Sequence, residues 1–409
     1  MEAEGDPTVF DIKLRVLRDT GGNMLRLILV PEESKGLAYE ECEGGYKVTG
    51  IGTCEDTDIV IPNFYNEKPV VTIGEMAFYT NSSIESVTIP SNVAEIEIDA
   101  FNGCEKLKTI NLSDGLKTIG VCAFAGTQIK SVIIPNSVTC IEYGAFTECA
   151  SLEAITIPKN AIITDPTYAF SGCVALKTAS ILSELSFVGE DMFAGCSSLK
   201  TVVISNGATY IDKHAFKDCS SLVSVSIPSS ITSIEEEAFW YCQALTSVTL
   251  PDNIESIGNR AFAGCQALTS INLPDNIEFI GEGAFTGCHA LTSIELPKNI
   301  DTISAHTFWW CPSLTSIIIP DNIINIGPSA FKECSSLDKL SIGSGVTTSG
   351  DSAFLECSLN EVIIPSNVTT IGSGAFTGNV VTLYICGPEN SISGAPWGAT
   401  EVIWDYTPS

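Results

Sequence analysis

One phenylalanine returns along this chain at near-constant spacing: Phe78, Phe101, Phe124, Phe146, Phe170, Phe193, Phe216, Phe239, Phe262, Phe285, Phe308, Phe331, Phe354 and Phe376. Of the thirteen intervals ten are 23 residues, and the others are 22, 22 and 24. A core of mixed topology has no reason to keep such a register. A solenoid does, because each coil repeats the packing task of the one before. The chain is therefore mostly one repeat array, and the usual expectation of about one domain per 150 residues does not apply.

The unit is plain from Ala261 onward: A-F-A-G-C-Q-A-L-T-S-I-N-L-P-D-N-I-E-F-I-G-E-G. Cys stands three residues after the Phe in eleven of the fourteen units, and Leu stands at the sixth position, as in Leu245, Leu268 and Leu291. A short alternation follows, such as Ser247-Val248-Thr249-Leu250, which is the pattern of a half-buried strand. Proline closes it in nine units, from Pro90 to Pro365, where its missing N–H does not interrupt a ladder. Two aliphatics such as Ile254 and Ile257 come next, and an Ala-Phe pair leads into the following coil on a stretch too short for more than one helical turn. Roughly eight of every 23 residues point inward, and only stacked neighbours can bury them.

The expected fold is mostly β with short helical turns. It is a single solenoid with one long parallel β-sheet, about 14–15 coils, and a cap at each end. Strands about 4.8 Å apart make it on the order of 70 Å long.

The pattern L-x-S-[IV]-x-[IL]-P-x-x-[IV]-x-x-I-G-x-x-A-F-x-G-C resembles the BspA-like (Treponema-type) leucine-rich repeats, and it recurs over residues 57–386. Departures are local. Met192 and Thr307 replace the Ala before Phe, and Ser113, Leu182, Ser205 and Gly343 stand where Pro is usual. The resemblance implies a leucine-rich-repeat solenoid, secreted or surface-attached, with a role in adhesion.

A solenoid exposes a core edge and an unpaired strand at each end, so both need covering. Residues 1–56 read as an N-terminal cap, with a β-hairpin over 8–30 turning at Asp19-Thr-Gly-Gly-Asn23. Residues 387–409 read as a C-terminal cap in which Trp397 and Trp404 can lie over the last coil.

There are 49 acidic against 20 basic side chains, a formal charge of −29, which disfavours nucleic acid and anionic membrane surfaces as partners. Such charge keeps a long, Ile-rich rod soluble. No calcium-loop motif and no C-x-x-C occurs, so no metal or cofactor is expected. Sixteen cysteines ordinarily suggest a disulfide-rich secreted protein, but eleven share one inward repeat position, where Cys acts as a small hydrophobe with a reduced thiol. Cys42 and Cys54, outside the array, are the pair best placed for a disulfide.

No leader or membrane span is visible in the polar start Met1-Glu-Ala-Glu-Gly-Asp, and no sorting motif follows Asp405. The chain is either cytoplasmic or begins after a removed leader. The resemblance favours the second reading and an extracellular or cell-surface location, with any anchor lying outside this segment.

Nothing reads as an active site. His214, His289 and His306 are set apart along the repeat or on different sides of the coil, and Gly350-Asp-Ser-Ala is only this unit's form of the turn before Phe. The outward rows of the broad sheet carry small hydroxyls, such as Ser247 and Ser270, which can ladder across strands but lack the Trp, Tyr or Arg of binding hot spots.

One local departure carries binding chemistry. Trp240-Tyr241 and Trp309-Trp310 follow the repeat Phe where other coils place Ala263-Gly264 or Thr286-Gly287. Three strand spacings put the pairs about 15 Å apart on one side, where flat rings can meet a sugar or anchor a protein. The competing expectation is that the rings merely fill grooves over neighbouring glycines.

The expectation is thus a non-catalytic interaction protein of monomeric habit, binding protein or glycan on a host or neighbouring cell. A structural spacer is the alternative, and an enzyme ranks last.

Overall fold

The computed structural model of the chain describes residues 13–17, 26–30, 32–389 and 391–408. It is a parallel β-solenoid of about sixteen turns, with strands stacked one coil apart. The broad sheet pairs Thr201 with Ser224, Ser224 with Ser247 and Ser247 with Ser270, all in parallel register. From Phe239 to Ala261 eight hydrophobic side chains are buried: Phe239, Cys242, Leu245, Val248, Leu250, Ile254, Ile257 and Ala261.

Two features differ from the sequence expectation. The residues read as two loose aliphatics build a second parallel ladder, of two-residue strands. Ser233–Ile234, Ser256–Ile257 and Phe279–Ile280 pair in register, each with its isoleucine buried. There is also no helical turn among the described residues. The Ala-Phe stretch instead alternates its bonding. Arg260, Phe262 and Gly264 donate their N–H groups to Glu282, Ala284 and Thr286 of the next coil, while Ala263 and Cys265 bond three residues back. In all fourteen coils the residues two before and two after the Phe have left-handed φ, such as Arg260 (52°) and Gly264 (74°). Two such residues within five positions exclude an α-helix.

The Phe rings are all buried and stack along the axis, with centroids 5.0–6.0 Å apart and planes within 19° of parallel. The widest step, 6.0 Å between Phe146 and Phe170, falls on the 24-residue interval.

The cysteine row does more than fill space. Each of its eleven thiols lies 3.0–3.4 Å from the carbonyl oxygen of the preceding coil's Phe, as Cys104 does with Phe78 and Cys288 with Phe262. Thiol is a weak donor, but the contact recurs at every step. Asn379, in the Cys position, confirms the role: its Nδ2 donates to Phe354 O at 2.8 Å. Burial pushes the thiols of Cys196 and Cys334 up to about 12 and raises Cys219, Cys242, Cys288 and Cys311 well above their ordinary range. All sixteen cysteines are free thiols, Cys42 and Cys54 included, so the suggested disulfide is not formed.

At the N-terminal end, β1 (Lys13–Leu17) and β2 (Arg26–Val30) pair antiparallel, Lys13 opposite Val30. The rest of that hairpin, including its Asp19–Asn23 turn, lies outside the described residues. The strands that join the solenoid form another hairpin. β3 (Ala38–Cys42) and β4 (Gly45–Gly50) pair antiparallel around Gly44, whose φ of 85° suits only glycine well, and β4 pairs parallel with the strand Lys68–Ile73. At the other end Glu401–Ile403 adds one more parallel strand to Thr382–Ile385. Phe376 N–H donates to Trp397 O at 3.0 Å, where most coils use alanine, and the buried Trp397 meets Trp404 at 6.2 Å.

Candidate functional site: a lateral aromatic groove

The flank that carries the Phe turns places two residues per coil outside the Phe stack, the first and second after the Phe; most are partly or fully exposed, while Ala125, Ala263 and Gly287 are covered. Because the second is left-handed, glycine holds it in seven coils, including Gly264 and Gly287. Tyr241 (φ 55°) and Trp310 (φ 58°) hold the same conformation with bulky rings. The backbone disfavours this by roughly 1–2 kcal/mol per residue.

These departures enclose a groove of about 420 Å³. Trp240 and Tyr241 form one wall and Trp309 and Trp310 the other; the two intervening coils, with Ala263-Gly264 and Thr286-Gly287, make the floor. Both outer rings lean inward. A Cβ on Gly264 would stand 3.2 Å from the Tyr241 ring, and one on Gly287 would stand 3.8 Å from Trp310. The rings thus cover their neighbouring glycines, as the packing expectation held, and still leave open space between the walls. All four aromatic residues expected at a site come together here.

The indoles are braced from the outer coils. Lys217 Nζ lies 4.5 Å from the centre of the Trp240 ring, and Lys332 Nζ lies 5.4 Å from that of Trp309. Such cation–π contacts contribute about 0.5–1 kcal/mol at exposed sites and fix the ring planes. Tyr241 stands edge-on to Trp240 at 4.4 Å.

Two histidines that looked isolated in sequence also line the groove. His289 meets the Trp310 ring edge-on at 4.3 Å, and His306 lies 5.5 Å from Trp309, with its Nδ1 3.2 Å from Glu282 Oε1. The 23-residue period holds the signal, because His289 and His306 lie in adjoining parts of neighbouring coils. Spacing along the chain, without the coil's path, separates them.

Charges around the groove lie beside opposite charges on an adjoining coil or next in the chain. Glu237 lies 3.1 Å from Lys217 and 3.5 Å from Arg260, and Lys332 lies 3.5 Å from Glu333. The ladder continues outward through His214, 3.4 Å from Glu237 and 3.6 Å from Asp191. Glu190, Asp191 and His214 bring one ligand-type atom each within 4.8 Å of one another, a juxtaposition no sequence motif announced. Two polar atoms of the groove residues are buried without a partner: Trp309 Nε1 and His289 Nε2. Among the described residues, the histidine side chains contact carboxylates and aromatic rings, and none hydrogen-bonds a hydroxyl or thiol.

The broad sheet looks different. Ser247 and Ser270 are exposed as expected, but the hydroxyl ladder forms one residue earlier in the coil, where Thr246 and Thr269 donate to Val223 O and Thr246 O at 3.3 and 3.4 Å. Its exposed apolar residues, such as Ile133 and Ile318, stand singly.

A model of the BspA type leucine rich repeat region matches residues 71–200, 165–280 and 256–382. This chain belongs to the BspA-type leucine-rich repeat family. No curated protein matches it in sequence. A leucine-rich repeat protein from Bacteroides ovatus is 26% identical, with a TM-score of 0.78 over 92% of this chain and 99% of its own. A leucine rich cell surface protein from Faecalibacterium prausnitzii is 24% identical, with a TM-score of 0.50 over 92% of this chain and 96% of its own. The BspA-type solenoid therefore accounts for the coil, and the groove is a local variation within four of its repeats. No helix among the described residues is long and apolar enough to cross a membrane.

Proposed function

We propose that this BspA-type protein is a non-catalytic interaction protein of the cell surface or secreted space. Its solenoid acts as a rigid support, and a partner on a neighbouring cell or matrix docks in the lateral aromatic groove. One observation carries the reading: four aromatic side chains converge around an open groove on a flank where most coils present small or polar residues. Binding energy concentrates in Trp, Tyr and Arg within desolvated pockets, and this flank supplies Trp, Tyr and Arg260 together. The family and the cell-surface description of the F. prausnitzii neighbour support the location.

The test is attachment of the labelled protein to cultured epithelial cells and to matrix-coated wells. Saturable attachment should be lost in the Trp240→Ala, Trp309→Ala double variant and kept in Ser247→Ala, Ser270→Ala. Attachment indifferent to the groove would move the interaction elsewhere. A complete lack of saturable attachment would leave the spacer reading.

A further inference from the structure

Resting on the docking role just given to the groove, we propose that its ligand is an uncharged glycan, held by ring stacking and by neutral hydrogen bonds. The argument starts from charge. The whole chain carries −29, yet the groove's lining holds one cation, Arg260, against one carboxylate, Glu282, and is formally neutral. A charged ligand therefore finds no net opposite charge to pair with there. The ungathered chemistry is neutral. The remaining polar side chains of the lining, Gln266 and Thr286 among them, are uncharged hydrogen-bonding groups.

An amide and a hydroxyl exchange hydrogen bonds with a ligand's hydroxyl groups and need no counter-charge. The walls ask for a flat, weakly polar face, which the C–H face of a pyranose supplies against indole and phenol rings. Size agrees: about 420 Å³ lies within the range of small-ligand sites and is open at the surface, as a segment of a longer chain of sugars requires. The glycine floor keeps that space clear, since any side chain at Gly264 or Gly287 would project under the rings.

The experiment titrates the protein with uncharged tri- and tetrasaccharides of glucose, mannose, galactose and N-acetylglucosamine. Matched oligosaccharides bearing sialate or uronate serve as comparators, with calorimetry and tryptophan fluorescence as readouts. Three of the five tryptophans lie in the groove, so occupancy should change the emission.

At least one neutral probe should saturate, and its acidic counterpart should bind about tenfold more weakly or worse. The decisive variant is Tyr241→Gly with Trp310→Gly, because glycine is the commonest residue at these left-handed positions and keeps the fold. It should weaken the neutral probe at least about tenfold. Three results overturn the proposal: no neutral probe binds, the acidic probes bind more tightly, or the glycine variant binds unchanged. Cell attachment separates this from the docking reading. Attachment that needs the groove but survives periodate treatment of the cells would end the glycan assignment and keep the groove. Attachment that ignores the groove would end both.

Discussion

The broad sheet and the Phe-turn flank are both built from coil-to-coil hydrogen bonds, yet they differ in what they can carry. On the sheet, side chains alternate in and out, and outward residues stand on extended backbone beside the equivalent residue one strand away. That arrangement rewards small hydroxyls and β-branched residues, and it makes neighbouring coils alike. On the flank, left-handed residues on both sides of the Phe turn the chain sharply, and glycine is the easy choice. At Tyr241 and Trp310, two of the seven coils that depart from glycine there, a large ring stands over a neighbour that kept it. Repetition therefore favours a uniform sheet, while the flank gains individual relief wherever two coils break the rule.

The sharpest way to strain this contrast is alkaline pH, because thiols line the inner side of the flank turns and the sheet has none at equivalent positions. Burial holds Cys196, Cys219, Cys242, Cys288, Cys311 and Cys334 above the ordinary thiol value of 9.0. Unfolded thiols ionise near that value, so the unfolded state loses protons first. Stability should be intact below pH 9 and fall above it, by about 1.4 kcal/mol per shielded thiol per pH unit. Guanidinium midpoints at pH 8 and pH 10 measure this; equal midpoints would mean the thiols ionise freely in the folded chain. Native thiol titration with an aromatic disulfide should likewise be slow, and complete only in denaturant.

Next in size is Phe262→Ala, which opens the ring stack and should cost about 3–5 kcal/mol. Trp240→Ala with Trp309→Ala removes half-buried rings and two lysine contacts, and should cost about 1–2 kcal/mol while removing attachment. Tyr241→Gly with Trp310→Gly should leave the melt within about 1 kcal/mol of the parent, since relief of the left-handed strain offsets lost packing. A larger loss would show that these rings are structural wedges. The smallest effect belongs to Ser270→Ala on the sheet, within about 0.5 kcal/mol. Denaturant melts in which Ser270→Ala matches Phe262→Ala would erase the distinction between inward and outward rows.

Much of this was legible from residue types. The recurrence of Phe, Cys and Leu fixes a period, and alternation after the Leu fixes one strand per coil with its inward set. The second ladder was not legible, because two residues are too few to show alternation, and Ser256–Ile257 forms a strand only because Ser233–Ile234 lies beside it. The missing helical turn has the same origin: local propensity cannot show that Phe262 N–H bonds forward to Ala284. The donor role of the cysteines hid behind their apolar character, although Asn379 in their row was a clue.

By itself the sequence determined the solenoid, its inward residues and the two aromatic pairs, because a 23-residue period is a property of order along the chain. Only the tertiary structure decided that those pairs face each other across an open floor. It also decided that His289 and His306 join them, and that two buried polar atoms there remain unmet. The reason is geometric: composition places a residue on a row, but which rows of adjoining coils converge depends on how the backbone turns between them.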